Sequence, residues 1–231
     1  MFSFKRFFIL IITVAILTAT AAAQMTVEES YLQESIELMI IREAARSNSR
    51  EQKLISLEYI RDAIERGSTN DEIRQTLQML SQEGRRTVVR EGGRVVNNYP
   101  DVRRQAARYL GQMGTDEARQ SLLLILQSDN EPMVLQEAIK ALGDIGANPN
   151  NETVIHIAWV MDRFLSGATV HPDNLMALAT IDAFEKIAKK NNGFTSPEAI
   201  RTLNRIIDGP YVMAVRERAR QLMADLRSSS R

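Results

Sequence analysis

The sequence predicts an all-α fold, an α-solenoid of stacked antiparallel helix pairs. Three observations carry that reading. The stretch YPDVRRQAARYLGQMG at 99–114 returns thirty-two positions later as EPMVLQEAIKALGDIG at 131–146. Each copy places apolar residues at i, i+4, i+8 and i+11 (Val102, Ala106, Leu110 and Met113; Val134, Ala138, Leu142 and Ile145), which is one face of an α-helix. Each copy also opens near a proline, whose missing N–H costs nothing in a first helical turn, and closes on a glycine suited to left-handed backbone.

The elements follow in order. After the first strong copy, Thr115 reads as a helix start and Leu122, Leu123, Ile125 and Leu126 form the apolar stripe of a second helix. After the second copy, Val154 to Leu165 does the same. His171-Pro172-Asp173 opens a helix over Leu175 to Ala188, Ser196-Pro197 opens its partner to Ile207, and Gly209-Pro210 starts a last helix. In that helix Val215-Arg216 and Ala219 echo Val102-Arg103 and Ala106. Upstream, Arg50 to Arg66 and Asn70 to Ser81 form a diverged pair. Thr69-x-x-Glu72 reads as a capping box on the second of these, and Thr26-x-x-Glu29 caps a leading helix through Arg46. A unit of helix, turn and helix cannot bury its apolar stripe alone, so the chain repeats it and neighbours share one core.

The strong copies, D-V-R-R-Q-A-A-R-Y-L-G-Q-M-G and A-I-K-A-L-G-D-I-G, resemble HEAT repeats, including the HEAT-like repeats of PBS-lyase type. The resemblance is specific over 99–165 and fades through 166–226; residues 24–98 match only as helix pairs. It departs at Leu135, where the first copy has arginine, and at Phe184-Glu185, which stand in place of leucine-glycine. It implies an armadillo-type superhelix of nine to ten helices and an inner binding face built by the second helix of each pair. It also implies that Arg103 pairs with a neighbouring acid. On that inner face Arg119, Gln120, His156 and Arg163 are the candidate partner-binding residues.

Residues 1–23 read differently from the rest. Lys5 and Arg6 precede an apolar run of 14 residues, Phe7 to Thr20, and Ala21-Ala22-Ala23 follow. A basic start, a short apolar core and a small-residue end describe a signal peptide cut before Gln24, leaving 24–231 as one solenoid domain in the periplasm or secreted. The alternative is an uncleaved anchor in the inner membrane. The domain divides into diverged helices at 24–82, an insertion at 83–99 and repeats at 100–226. The chain has 29 basic and 29 acidic residues, and removing 1–23 leaves 27 against 29. No bulk attraction to nucleic acid or an acidic surface follows. With no cysteine, disulfides, thiol catalysis and cysteine metal sites are excluded.

The insertion carries two signals. Thr87-Val88-Val89 and Val95-Val96 are β-branched and flank Gly92-Gly93, so a hairpin would set Glu91 opposite Arg94; an irregular linker is the alternative. Around it lie Arg85, Arg86, Arg90, Arg94, Arg103, Arg104 and Arg108, seven arginines in 24 positions against Glu91 and Asp101 alone. Guanidinium forks bind carboxylates and phosphates. The patch is therefore a second candidate site, for an acidic protein segment or an anionic polymer.

Signs of catalysis are scarce. His156 lies between two isoleucines and His171 precedes a proline, so the adjacent His-Glu ligands of a metal-dependent hydroxylase family with similar repeats are missing. Similar repeats also occur in enzymes that attach bilins, but no residue here singles out that chemistry. P-loop, G-x-S-x-G and H-E-x-x-H patterns are missing as well. The methionines recur at apolar helical positions and read as core filling. The expectation is an exported scaffold without catalysis, metal or cofactor, binding another protein.

Overall fold

The structure is a computed structural model that describes residues 27–68, 70–86, 88–167 and 172–229. The signal peptide, the caps expected at Thr26 and Thr69, and His171 fall outside them. The described residues form ten α-helices and one two-stranded hairpin. The helices are α1 (Val27–Arg46), α2 (Arg50–Glu65), α3 (Asp71–Leu80), α4 (Pro100–Met113), α5 (Asp116–Ser128), α6 (Pro132–Ile145), α7 (Glu152–Gly167), α8 (Asn174–Asn191), α9 (Pro197–Asp208) and α10 (Met213–Ser229). The chain divides into two compact units, 1–39 and 40–231. In the first, the described part is the start of α1.

In the second unit the helices lie in two layers. The first helices of the pairs, α2, α4, α6, α8 and α10, pack side by side, and the second helices, α3, α5, α7 and α9, form the other layer. The helix ends follow the local chemistry. Pro100, Pro132 and Pro197 each occupy a first turn. Asn70, Thr115, Asp173 and Ser196 accept backbone N–H groups as N-caps, so the cap of α3 is Asn70, whose Oδ1 receives Glu72 N at 2.7 Å. Gly114 and Gly146 end α4 and α6 with φ of 69° and 68°.

The glycine inside each strong copy has a separate reason. A Cβ built on Gly111 would stand 2.6 Å from Ala141 Cβ, and one on Gly143 would stand 2.7 Å from Ala183 Cα. Neighbouring first helices therefore touch backbone to backbone at a glycine-alanine contact. The series ends where Phe184-Glu185 replaces leucine-glycine: Phe184 is buried against Phe194, and Glu185 pairs with Arg218 of α10 at 2.8 Å.

Some expectations change. The last helix starts at Met213 rather than Gly209-Pro210, and α8 runs through Asn191. Met113, Met161, Met176 and Met223 are buried, but Met39, Met133 and Met213 are exposed, so the methionines do not all fill the core. The spacing at Met133 and Met213 belongs to first helical turns, which overhang the layer.

The insertion forms a hairpin, β1 (Arg90–Glu91) with β2 (Arg94–Val95), pairing Arg90 with Val95 and Glu91 with Arg94. Gly92 and Gly93 both have positive φ, 54° and 81°, as a two-residue turn of the primed type requires. Its root is bonded into the core. Buried Asn97 accepts Val89 N at 2.9 Å and donates to Glu83 Oε1 at 2.7 Å. Glu83 Oε2 lies 3.0 Å from the buried Lys53 ammonium, which also donates to Ala45 O at 2.8 Å.

Candidate protein-binding face

The arginines gathered by sequence separate into three groups once their neighbours are known. Arg103 is wholly buried and leaves the patch. It donates through Nε to Asp129 Oδ2 at 2.6 Å and through Nη2 to Oδ1 at 3.3 Å, while Nη1 reaches Glu83 O at 3.1 Å and Asn98 Oδ1 at 2.8 Å. A buried guanidinium must find such partners, because an unpaired buried charge is costly. The paired arginine implied by the repeat resemblance is thus present and structural. Arg85 joins the same carboxylate at 3.5 Å.

Arg108 is exposed but forked onto Glu137 at 2.8 and 3.3 Å, and that hydrogen bond raises its pKa. Arg104 is half-buried with its Nε unbonded. The remaining three sit on or beside the hairpin and are exposed: the Arg90 guanidinium bonds to Gly93 O at 3.2 Å, and the Arg86 and Arg94 guanidinium groups have no hydrogen bond or ion pair among the described residues. Seven candidates therefore reduce to three exposed arginines without a carboxylate.

The second-helix face sorts similarly. Arg119 is buried, held by Asp116 and Glu152 at 2.6 Å each, so it ties α5 to α7 and offers nothing to a partner. Burial acts against its charge, but those two bonds outweigh the loss and its pKa is raised. Gln120 is exposed and unbonded. His156 bridges the same helices, with Nδ1 2.9 Å from Glu152 O and Nε2 3.1 Å from the Gln127 amide nitrogen.

Arg163 differs from three other second-helix arginines. Arg74, Arg119 and Arg205 each pair with an aspartate on this face. Arg163 bonds to Leu126 O at 3.3 Å and Asn130 Oδ1 at 3.4 Å, both neutral, and burial lowers its pKa. Its guanidinium carbon lies 4.3 Å from the centre of the Trp159 ring. Trp159 is 47% exposed, and Ile155, one turn earlier, is also exposed. Sequence reasoning did not name Trp159 as a site. The signal was available: Val154, Ile157, Ala158 and Met161 take the core stripe of α7, which leaves Ile155, Trp159 and Arg163 at i, i+4 and i+8 on the other side. A groove of about 600 Å³ runs along α9, with Leu165, Ile200, Asn204 and Tyr211 among its lining. The Tyr211 hydroxyl is buried without a hydrogen-bond partner.

Among the described residues, no cluster of three or more His, Asp or Glu is arranged for a metal ion. No helix among them is long and apolar enough to cross a membrane.

The two layers of helix pairs, with glycine-alanine contacts between successive first helices, define an all-α helical-repeat protein. Residues 95–159 match the family of HEAT repeats. No curated protein matches it. Among solved structures it is similar to a chain in the complex of CpcE and CpcF of phycocyanin lyase from Nostoc sp. The TM-score is 0.55 at 18% identity, over 90% of this chain and 67% of that one. That likeness corrects one expectation. The exclusion of catalysis rested on motifs alone, and the shared fold is one that a lyase complex uses. The solenoid therefore gives no ground for setting enzymes aside.

Proposed function

We propose that this HEAT-repeat scaffold binds another protein through the exposed face of its second helices, centred on Trp159 and Arg163. The observation that carries the reading is a half-exposed tryptophan stacked with an arginine that has no carboxylate, on a layer where Arg74, Arg119 and Arg205 each pair with an aspartate. Aromatic and arginine side chains at the centre of a patch supply most of the energy of a protein interface. A carboxylate from the partner would complete the Arg163 environment, and Ile155 offers apolar area on the same ridge. The similar chain in the phycocyanin lyase structure is itself part of a two-protein complex, which agrees with a binding role. The anionic-polymer reading retains only Arg86, Arg90 and Arg94 of its seven arginines.

The site of action we propose is outside the cytoplasm, after cleavage before Gln24; the support is the order of basic, apolar and small residues in 1–23. N-terminal sequencing of protein recovered from the cell envelope tests this, and an intact Met1 refutes the cleavage.

For the binding face, tagged full-length protein is expressed in its own organism and captured at low and high salt, beside Trp159→Ala and Arg163→Glu. The expected result is a protein partner retained by the wild type at high salt and lost from both variants. Trp159 is the sole tryptophan, so its emission should shift to the blue when that partner is added to purified protein. Partner retention by Trp159→Ala with no emission change would refute this face.

A further inference from the structure

We propose that α10 receives, on its flank away from α8, an amphipathic helix of a partner protein that ends on a carboxylate. The apolar pattern of α10 repeats that of α4. Val215, Ala219, Met223 and Leu226 are buried, as Val102, Ala106, Leu110 and Met113 are, which sets Arg216 at the place of Arg103 and Arg220 at the place of Ala107. In α4 both places are wholly buried, and Asp129, just past the second helix of that pair, takes the Arg103 charge at 2.6 Å. In α10 Arg216 is half-buried and Arg220 exposed. The Arg216 Nε is enclosed without an acceptor, and the guanidinium has no hydrogen bond or ion pair among the described residues. Arg220 pairs with Glu217 of its own helix at 3.0 Å.

Neighbouring bonds show which way this flank faces. Arg218 reaches Asp182 and Glu185 of α8 at 2.6 and 2.8 Å. Arg216 and Arg220 are each two positions from Arg218, about 200° around the helix, and so face away from α8. α9, which packs on α10, adds apolar area. Thr202 and Arg205 reach Asp162 of α7 at 3.4 and 2.9 Å, so Ile200 and Ile207 lie on the flank away from α7, where both are half-buried. On that flank α3, α5 and α7 each have the next second helix; among the described residues α9 has none.

The complete pair shows what fits there. α5 lays an apolar stripe against its neighbours and delivers Asp129 at its C-terminal end, where the helix carbonyls also favour a cation. A helix built the same way would cover Ile200 and Ile207 and give Arg216 the acceptor it lacks. A polyanion would leave the isoleucines uncovered. A neutral apolar helix would bury the Arg216 charge unpaired, which is costly. Charge and apolar area together therefore select an amphipathic helix that ends on an acid.

The probe is a labelled peptide of residues 115–131, the sequence of α5 with its Thr115 cap and Asp129, added to the full chain and followed by fluorescence anisotropy. The expected result is saturable binding, weakened at least about tenfold by Asp129→Ala in the peptide or by Arg216→Met in the protein. The two changes together should cost no more than either alone, which identifies them as one contact. Trp159→Ala protein should bind as the wild type does, so this site and the Trp159 face are judged separately. Short helices are marginal in isolation, so the same residues are also appended after Arg231 through a flexible linker, which raises their effective concentration. The appended helix should raise the urea midpoint, and its Asp129→Ala form should raise it less. The absence of both binding and a raised midpoint would overturn the proposal. Equal behaviour of the Asp129→Ala or Arg216→Met forms, or weakened binding by Trp159→Ala, would do so as well. A wild type that dimerises and becomes monomeric on Arg216→Glu would also overturn it, because a second copy would then hold the site.

Discussion

Replacing Asp129 by alanine should unfold this protein more readily than any change on its surface. The carboxylate is 1% exposed and receives the buried Arg103 guanidinium at 2.6 and 3.3 Å. It also accepts the backbone N–H groups of Asn130 at 2.8 Å and Glu131 at 3.0 Å, shaping the turn into α6. Removing it leaves Arg103 charged and enclosed, with only Glu83 O and Asn98 Oδ1 as acceptors. Breaking a buried pair from one side costs about 3–5 kcal/mol. For a chain of this size that corresponds to a melting temperature lower by roughly 6–20 °C. Asp129→Asn retains an acceptor for the two backbone donors and should lose less. Arg103→Met with Asp129→Leu removes both charges and should recover much of the loss, because apolar replacement of a whole pair is often neutral. The assay is urea and thermal unfolding followed by circular dichroism at the helix band. A change within about 1 kcal/mol for Asp129→Ala, or a double replacement as damaging as the sum of the singles, would refute the account of Arg103 as a charge held by its partner.

Three further outcomes follow from the structure. Gly143→Ala should destabilise by about 1–3 kcal/mol, because the new methyl meets Ala183 backbone at 2.7 Å, whereas the same change in an open helix gains about 1 kcal/mol; urea unfolding decides the sign. Gly84→Ala should loosen the hairpin root, since φ is +69° and a Cβ would lie 2.4 Å from Asn97 O; faster amide exchange over 84–97 with the repeats unchanged is the expected signature. Burial, and then the Asp173 charge, push the Tyr211 phenol up to about 12. The folded state thus holds that proton where the unfolded state has released it, so this contribution is complete below pH 10 and is lost as pH rises toward 12. Tyr211→Phe should remove that alkaline loss and, with no hydrogen bond to break, leave neutral stability unchanged or higher by up to about 1 kcal/mol.

The architecture was legible because it rests on local chemistry. Proline before Val102 and Val134, glycine after Met113 and Ile145, and the apolar spacing between them are each sufficient to place a helix. The two glycines at the hairpin tip likewise demanded their turn. The candidate sites were less legible, because exposure depends on which neighbour a side chain meets. Arg103 and Arg94 look alike in sequence, yet one is enclosed by an aspartate twenty-six residues away and the other stands in solvent. Arg119 was misjudged for the same reason, since its partner Glu152 lies in the next pair of helices. Trp159 could have been found: the core stripe of α7 is complete without it.

The bonded path from Lys53 through Glu83 and Asn97, and from Glu83 O through Arg103 to Asp129, has a consequence for dissecting the chain. Repeat arrays are ordinarily divisible at any joint, because each unit touches only its neighbours. Here the insertion that breaks the period is also the rivet between the diverged helices and the regular repeats. A fragment beginning at Pro100 would keep both strong copies but leave Arg103 facing the gap where Glu83 and Asn98 had been. The natural unit of excision therefore starts upstream, with α2, and the segment that looks most like an afterthought in the sequence is the one that cannot be trimmed away.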